Sequence, residues 1–328
     1  MEVASVASDF RQWDELIPDA LGLIFKNLSL KEMLTVIPMV CKSWGKAVLG
    51  PYCWQEIDIE EWSERCPEPQ HLDRMIQMLI SRSCGSLRKL CVSGLKNDMI
   101  FSFIAEHSNS LQTLSLPRSE ISDSIVEQTI GRLSHITFLD LSYCGKISFR
   151  ALEVIGKNCK LLVKLFRNMH PVDTVGMPIA DDEANAIAAT MPRLKHLELA
   201  YHVISTQSAL QILKSCPELE LLDLRGCWGV KIDDEKYLEK KFPKVKVLGP
   251  LVEDFYEGNE WDDNSFYSDA SSEYLAWEFV DDDEDFDDDE DFDDDMWDGD
   301  GRLEQLELRF YQGNEHETEG GFGWPPSP

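Results

Sequence analysis

Positive charge is scarce in this sequence: 31 lysines and arginines stand against 61 acidic residues, a formal net charge of −30. Duplex nucleic acid requires a basic face for its phosphates, so direct nucleic-acid binding is not expected. No stretch approaches the ~18 consecutive apolar residues of a membrane helix, so no membrane span is expected. The start, MEVASVASDFRQWDE, has no basic segment followed by an apolar one, which argues against a secretory signal. The expected location is therefore the nucleus, the cytoplasm or both. None of the nine cysteines is spaced C-x-x-C, which excludes zinc ribbons, RING-type zinc sites and thioredoxin-like chemistry and leaves reduced thiols. The chain also lacks a G-x-S-x-G elbow, a P-loop, an H-E-x-x-H pair and a G-x-G-x-x-G fingerprint. Its seven histidines are scattered, with no acid or thiol at ligand spacing. No catalytic residue, metal or cofactor is assigned, and a non-catalytic protein is expected.

The charge that is present is unevenly placed. Residues 253–328 hold 29 acidic residues and two basic ones, leaving 32 acidic and 29 basic residues for everything before them. A nearly neutral body followed by a strongly acidic tail is expected. Like charges repel and little apolar area is available to offset chain entropy, so the tail is expected to be disordered. Basic proteins are natural partners for such a tail.

The body is repetitive. Seven segments fit L-x-x-L-x-L or a degraded form of it, beginning at Leu87, Leu111, Ile136, Leu162, Leu194, Leu219 and Val245, with spacings of 24, 25, 26, 32, 25 and 26 residues. Side chains alternate along a strand, so the apolar residues at offsets 3 and 5 point the same way. A turn and an apolar helical stretch follow each strand. One such unit cannot cover its own leucine face, but stacked neighbours can. The expected fold is α/β: a leucine-rich-repeat solenoid of about seven units over residues 58–252, with a concave parallel sheet and helices outside. Cys84, Cys159 and Cys216 lie three positions before a first leucine, and Cys144, His170, His202 and Cys227 lie eight after; this resembles the cysteine-containing repeat class, and core packing is their expected role. The fourth unit departs from the pattern with Arg167 at a leucine position and a longer loop after it, which is expected to form a rim insertion.

Residues 12–57, after a short flexible start (1–11), read as three short helices. Pro18 suits a first helical turn, Ser29-x-x-Glu32 is a capping box, and Pro38 ends or restarts the pattern before a last helix to about Leu49. The residues Ile17-Pro18, Leu21, Ile24-Phe25, Leu28, Val40-Cys41-Lys42 and Trp44 resemble an F-box, with Ile17 in place of the usual leucine. Followed by leucine-rich repeats, the whole resembles plant F-box/leucine-rich-repeat proteins. That resemblance implies a substrate adaptor that docks a Skp-type protein and, through it, a cullin and a RING protein in a ubiquitin ligase. It also implies that Ile17, Pro18, Leu21, Ile24, Phe25 and Leu28 face the adaptor, with Val36, Val40 and Trp44 packing the helices together or against the first repeat.

An unknown protein substrate would then lie on the concave face. Its candidate contacts are Phe138, Asp140, Lys164, Phe166, His196, Glu198, Asp223 and Arg225, taken from the outward offsets of the third to sixth units. In the tail, Trp261, Trp277, Trp297 and Trp324 resemble the tryptophan hooks that enter Argonaute pockets, which makes Argonaute one candidate substrate. A leucine-rich-repeat scaffold or chaperone of basic proteins remains the alternative; the F-box resemblance favours the ligase adaptor.

Overall fold

The structure, a computed structural model, describes residues 16–66, 68–171, 178–231 and 241–252. The acidic tail, with its four tryptophans, and part of the fourth unit's loop lie outside the described residues.

The chain begins with four short helices: α1 (Pro18–Phe25), α2 (Leu30–Thr35), α3 (Ile37–Val40) and α4 (Lys42–Leu49). Local chemistry sets their ends. Pro18 opens α1, where a missing N–H costs nothing, and the Asn27 side-chain amide closes it on the carbonyls of Leu23 and Ile24 at 3.0 and 3.2 Å. The capping box on α2 forms in full: Ser29 Oγ accepts from Glu32 N, and Glu32 accepts from Ser29 N. Pro38 falls in the first turn of α3, so the expected three helices become four pieces.

Eight parallel strands follow in chain order, β1 (Glu56–Asp58), β2 (Lys89–Cys91), β3 (Thr113–Ser115), β4 (Phe138–Asp140), β5 (Lys164–Phe166), β6 (His196–Glu198), β7 (Leu221–Asp223) and β8 (Lys246–Leu248), each bonded to the next. Helices α5 (Glu60–Arg65) and α6 (Pro69–Ser83) join β1 to β2; α7 (Asp98–His107), α8 (Asp123–Thr129), α9 (Phe149–Asn158), α10 (Asp182–Thr190) and α11 (Thr206–Ser215) join the strands after β2 up to β7. The central leucine of each strand is in register with the next, so Leu90, Leu114, Leu139, Leu165, Leu197 and Leu222 form one buried column.

The described residues hold eight strands where about seven units are expected. The first unit is Trp54-x-x-Ile57-x-Ile59, with all three side chains buried, and it overlaps the end of the helical segment. It has the repeat's spacing without its leucines. Trp54 also joins the two parts. Its indole Nε1 donates to Val48 O of α4 at 2.7 Å, and the Arg82 guanidinium of α6 lies 5.5 Å from its ring. Gly22 of α1 makes the neighbouring contact possible: a Cβ there would lie 2.5 Å from Tyr52 Cβ.

Consecutive helices are also tied by polar side chains. Asp98, at the start of α7, accepts from Ser122 N at 2.8 Å, and Ser122 caps α8. Asp123, at the start of α8, accepts from Ser148 N at 2.8 Å, and Ser148 caps α9. Asp181 does the same for Ser205 at 2.7 Å ahead of α11. Each carboxylate therefore satisfies an N-cap of the following unit, which fixes the stacking offset as well as the helix ends.

The cysteines and histidines at the repeat positions divide. Cys144 and Cys227 are buried, with Sγ 3.1 and 3.0 Å from the carbonyls of Leu116 and Leu199, and Cys159 and Cys216 are buried against Leu133 and Met191. His202 is buried with Nε2 2.6 Å from Arg167 O, and burial holds its pKa below the usual histidine value. Two expectations fail here. Cys84 is exposed in a left-handed turn, and His170 is exposed beside Tyr143.

Arg167 explains why the fourth unit is irregular. It is 1% exposed, and its guanidinium donates to the carbonyls of Leu141, Cys144 and Ile147 and to both carboxylate oxygens of Glu183, at 2.8–3.2 Å. The lengthened segment thus supplies the counter-ion, on α10, that lets a cation replace a core leucine. Arg167→Leu is expected to lower unfolding free energy by about 3–5 kcal/mol in urea titration, because Glu183 and three carbonyls lose their partner. Arg167→Leu/Glu183→Leu is expected to recover part of that loss; a fully neutral single variant would contradict this assignment.

Candidate functional site

Two faces of the described residues present side chains that the core does not use. The first is on the helical segment. An eight-residue helix turns fewer than three times, so its apolar residues divide between sides by position. On α1, Leu21 (0% exposed) and Phe25 (1%) point inward, and Phe25 packs on the half-buried Trp44 ring at 5.1 Å. Ile17 (65%), Leu23 (61%) and Ile24 point outward with Pro18, while Leu28 is half-buried. Leu21 and Phe25 are therefore removed from the adaptor-facing set: they hold the bundle together. Val36 and Val40, expected to pack the helices, are exposed instead, together with Met39 (65%). Leu23 and Met39 were missed because neither belongs to the residues that carry the F-box resemblance.

The second face is the open side of the sheet. Register places two rows of side chains across the strands. One runs Glu56, Lys89, Thr113, Phe138, Lys164, His196, Leu221, Lys246; the other runs Asp58, Cys91, Ser115, Asp140, Phe166, Glu198, Asp223, Leu248. The first row has three lysines and the second has four carboxylates and no lysine or arginine, so charge is segregated along the strand direction. Phe166 sits where the rows meet in the middle of the sheet. Its ring meets Phe138 edge-on at 4.9 Å and His196 at 5.1 Å. All eight candidate residues are on this face or its margin, and Lys164 is exposed. One is a correction: Asp223 is buried and bound to Arg225 by contacts of 2.6–3.1 Å, so neither presents an open charge.

Asp140 and Glu198 flank Phe166 on the neighbouring strands. Asp140 accepts from Ser142 N at 2.8 Å and from Ser115 Oγ at 3.3 Å. Glu198 meets Asn168 Nδ2 at 2.8 Å and His196 Nε2 at 3.1 Å. Among the described residues neither carboxylate pairs with a lysine or arginine at ion-pair distance. Burial first, and then the Glu198 charge, hold the Asp140 carboxyl above the usual carboxylate range despite its hydrogen bonds. Glu60 is raised as well, by burial and then by Asp140, Asp58 and Glu64.

One group could offer ligand atoms to a metal, Asp58, Glu60 and Cys91. Asp58 already pairs with Lys89 at 2.9 Å, and burial pushes the Cys91 thiol up to about 12, so the thiolate that a metal prefers is disfavoured. Among the described residues no helix is long and apolar enough to cross a membrane.

The raised Asp140 pKa has a defined pH sign. An acid harder to ionise in the folded than in the unfolded chain weakens folding above its unfolded pKa, and the penalty disappears as pH falls through the folded value. Asp140→Asn is therefore expected to raise the thermal midpoint at pH 7, with the gain shrinking in mildly acidic buffer. A lowered midpoint at pH 7 would contradict a net burial penalty.

The F-box domain family matches residues 13–56, which span α1 to α4 and the first residue of β1. The F-box protein FBW2 of Arabidopsis thaliana is 54% identical over 323 residues, covering 98% of this chain and 98% of its own length. The putative F-box/LRR-repeat protein 23 of the same plant is 31% identical over 73% of this chain and 53% of its own length. The F-box protein SKIP19, also from Arabidopsis thaliana, is 33% identical over 72% of this chain and 76% of its own. With an F-box at its start, parallel repeat strands behind it and a relative similar over almost its whole length, the chain belongs to the plant F-box/leucine-rich-repeat protein family.

Proposed function

We propose that the chain is the substrate-recognition subunit of a Skp–cullin–F-box ubiquitin ligase. F-box proteins generally act in that role, as non-catalytic adaptors. In this reading residues 58–252, with β1 ahead of them, form a leucine-rich-repeat solenoid whose open sheet face is concave and holds a protein substrate. The F-box docks a Skp-type adaptor, which bridges to the cullin and its RING protein. Substrate lysines are thereby kept near a charged ubiquitin-conjugating enzyme at high effective concentration, and the modified substrate is degraded. The acidic tail contributes to recognition in the same reading, and the complex works in the nucleus or cytoplasm.

The observation that supports this most is the exposed apolar set Ile17, Pro18, Leu23, Ile24, Val36, Met39 and Val40 on a segment of four short helices. A segment that buries Leu21, Phe25, Met33, Leu34 and Ile37 has no folding use for so many outward apolar residues. The adaptor is their natural cover.

Ile24→Glu and Met39→Glu test this without touching the core. Each is expected to weaken co-purification with a Skp-type adaptor by about tenfold or more, ~1.4 kcal/mol, with stability changed by no more than about 0.5 kcal/mol. Leu21→Ala should instead cost about 2–5 kcal/mol of stability. Full adaptor binding by both glutamate variants would end this assignment of the docking surface.

A further inference from the structure

The substrate-binding reading above can be taken one step further, to a substrate chemistry, and the step rests on that reading. Of the five carboxylates in the two rows of the open face, Asp58 pairs with Lys89 and Asp223 with Arg225. Glu56, Asp140 and Glu198 make no ion pair with a lysine or arginine among the described residues, although the Arg225 charge also acts on Glu198. Asp140 and Glu198 are the two of these that flank Phe166. Asp140 is held by two serines, Ser115 and Ser142; Glu198 is held by Asn168 and by His196.

Their placement is specific. Asp140 is on β4, Phe166 on β5 and Glu198 on β6, all in one row. Neighbouring strands lie about 4.8 Å apart, so the two backbones are separated by roughly 9–10 Å with the Phe166 ring between them. A planar cation laid on that ring reaches a carboxylate on each side. Lys164, the nearest lysine in the sheet, belongs to the other row, two residues back along the strand, about 6–7 Å away. Its charge disfavours a cation arriving across the first row and favours approach across the acidic one.

We infer that the Asp140–Phe166–Glu198 position receives a cationic side chain, arginine in preference to lysine, from an extended segment of the protein substrate. Arginine is preferred because its guanidinium stacks on an aromatic ring while donating in its own plane to carboxylates on both sides, whereas an ammonium ion offers only a point charge. Phe138 and His196 wall the same ring and supply apolar contact to the neighbouring substrate residues. Burial, and after it the Glu198 charge, hold the Asp140 carboxyl above its usual range, and a cation placed beside it offsets both.

The test uses the full chain in complex with its Skp-type adaptor. A short capped peptide of glycine, serine and leucine with one central arginine is titrated alongside its citrulline twin, which keeps the planar shape but lacks the charge and has an accepting carbonyl in place of one donating amino group. The arginine peptide is expected to bind about tenfold more tightly than the citrulline peptide, with a lysine peptide between them. In Asp140→Asn/Glu198→Gln the arginine preference should vanish, while adaptor binding and a cooperative melting transition, not below the wild-type midpoint, are retained. Phe166→Leu should weaken the arginine peptide more than the citrulline one. Equal binding of the arginine and citrulline peptides to the wild-type complex would overturn the inference. So would an arginine preference that survives the double variant, since the acidic tail is unchanged there and would be its source. Failure of the wild-type chain to hold the adaptor would instead count against the ligase reading, so the two failures are distinguishable.

Discussion

The arrangement depends on one buried residue at the junction of helices and sheet. Trp54 is the first apolar position of the first repeat and, through its indole N–H, a partner for the C-terminal end of α4. Burying so large a ring and satisfying its one polar atom is worth on the order of 3–5 kcal/mol, much of the margin by which a domain is stable. Arg82 covers the ring from α6, and Gly22 lets α1 approach the turn before it. The bundle and the stack consequently share a core, and the F-box does not hang from a linker.

In the proposed ligase reading, that shared core holds the docking surface and the substrate surface at a defined separation, which sets the effective concentration. Here the separation is built from strand spacing and from the Asp–Ser bonds that pin each helix cap to the unit before it. The irregular fourth unit keeps the register because Arg167 and Glu183 replace a leucine contact with a buried, fully bonded ion pair.

The periodic features were legible from sequence because each rests on local spacing. Strand positions, the leucine column and the capping box on α2 all follow from residues a few positions apart. The outward rows of the sheet follow from alternation alone, so Phe138, Asp140, Phe166 and Glu198 could be placed before any coordinates. The rest depends on contacts distant in sequence. The first strand escaped notice because Trp54, Ile57 and Ile59 carry the repeat's spacing without its leucines. The sides of α1 and α3 could not be assigned, since helices of eight and four residues have too few turns for periodicity to separate Leu21 and Phe25 from Leu23, Val36, Met39 and Val40. Asp223 looked like an open charge because its bond to Arg225 depends on how a side chain folds back, which alternation does not specify.

The F-box helices and the repeats form one cooperative body through Trp54. Hydrogen exchange of the full chain along a urea series measures this directly, by comparing amides in α1 and α4 with those in β3 to β5. Both sets are expected to lose protection at the same urea concentration in the wild type, and in Trp54→Ala the helices lose theirs first while the strands keep it. Wild-type helices that exchange well before the strands would contradict that cooperativity, because the helices would then be a separately folding appendage.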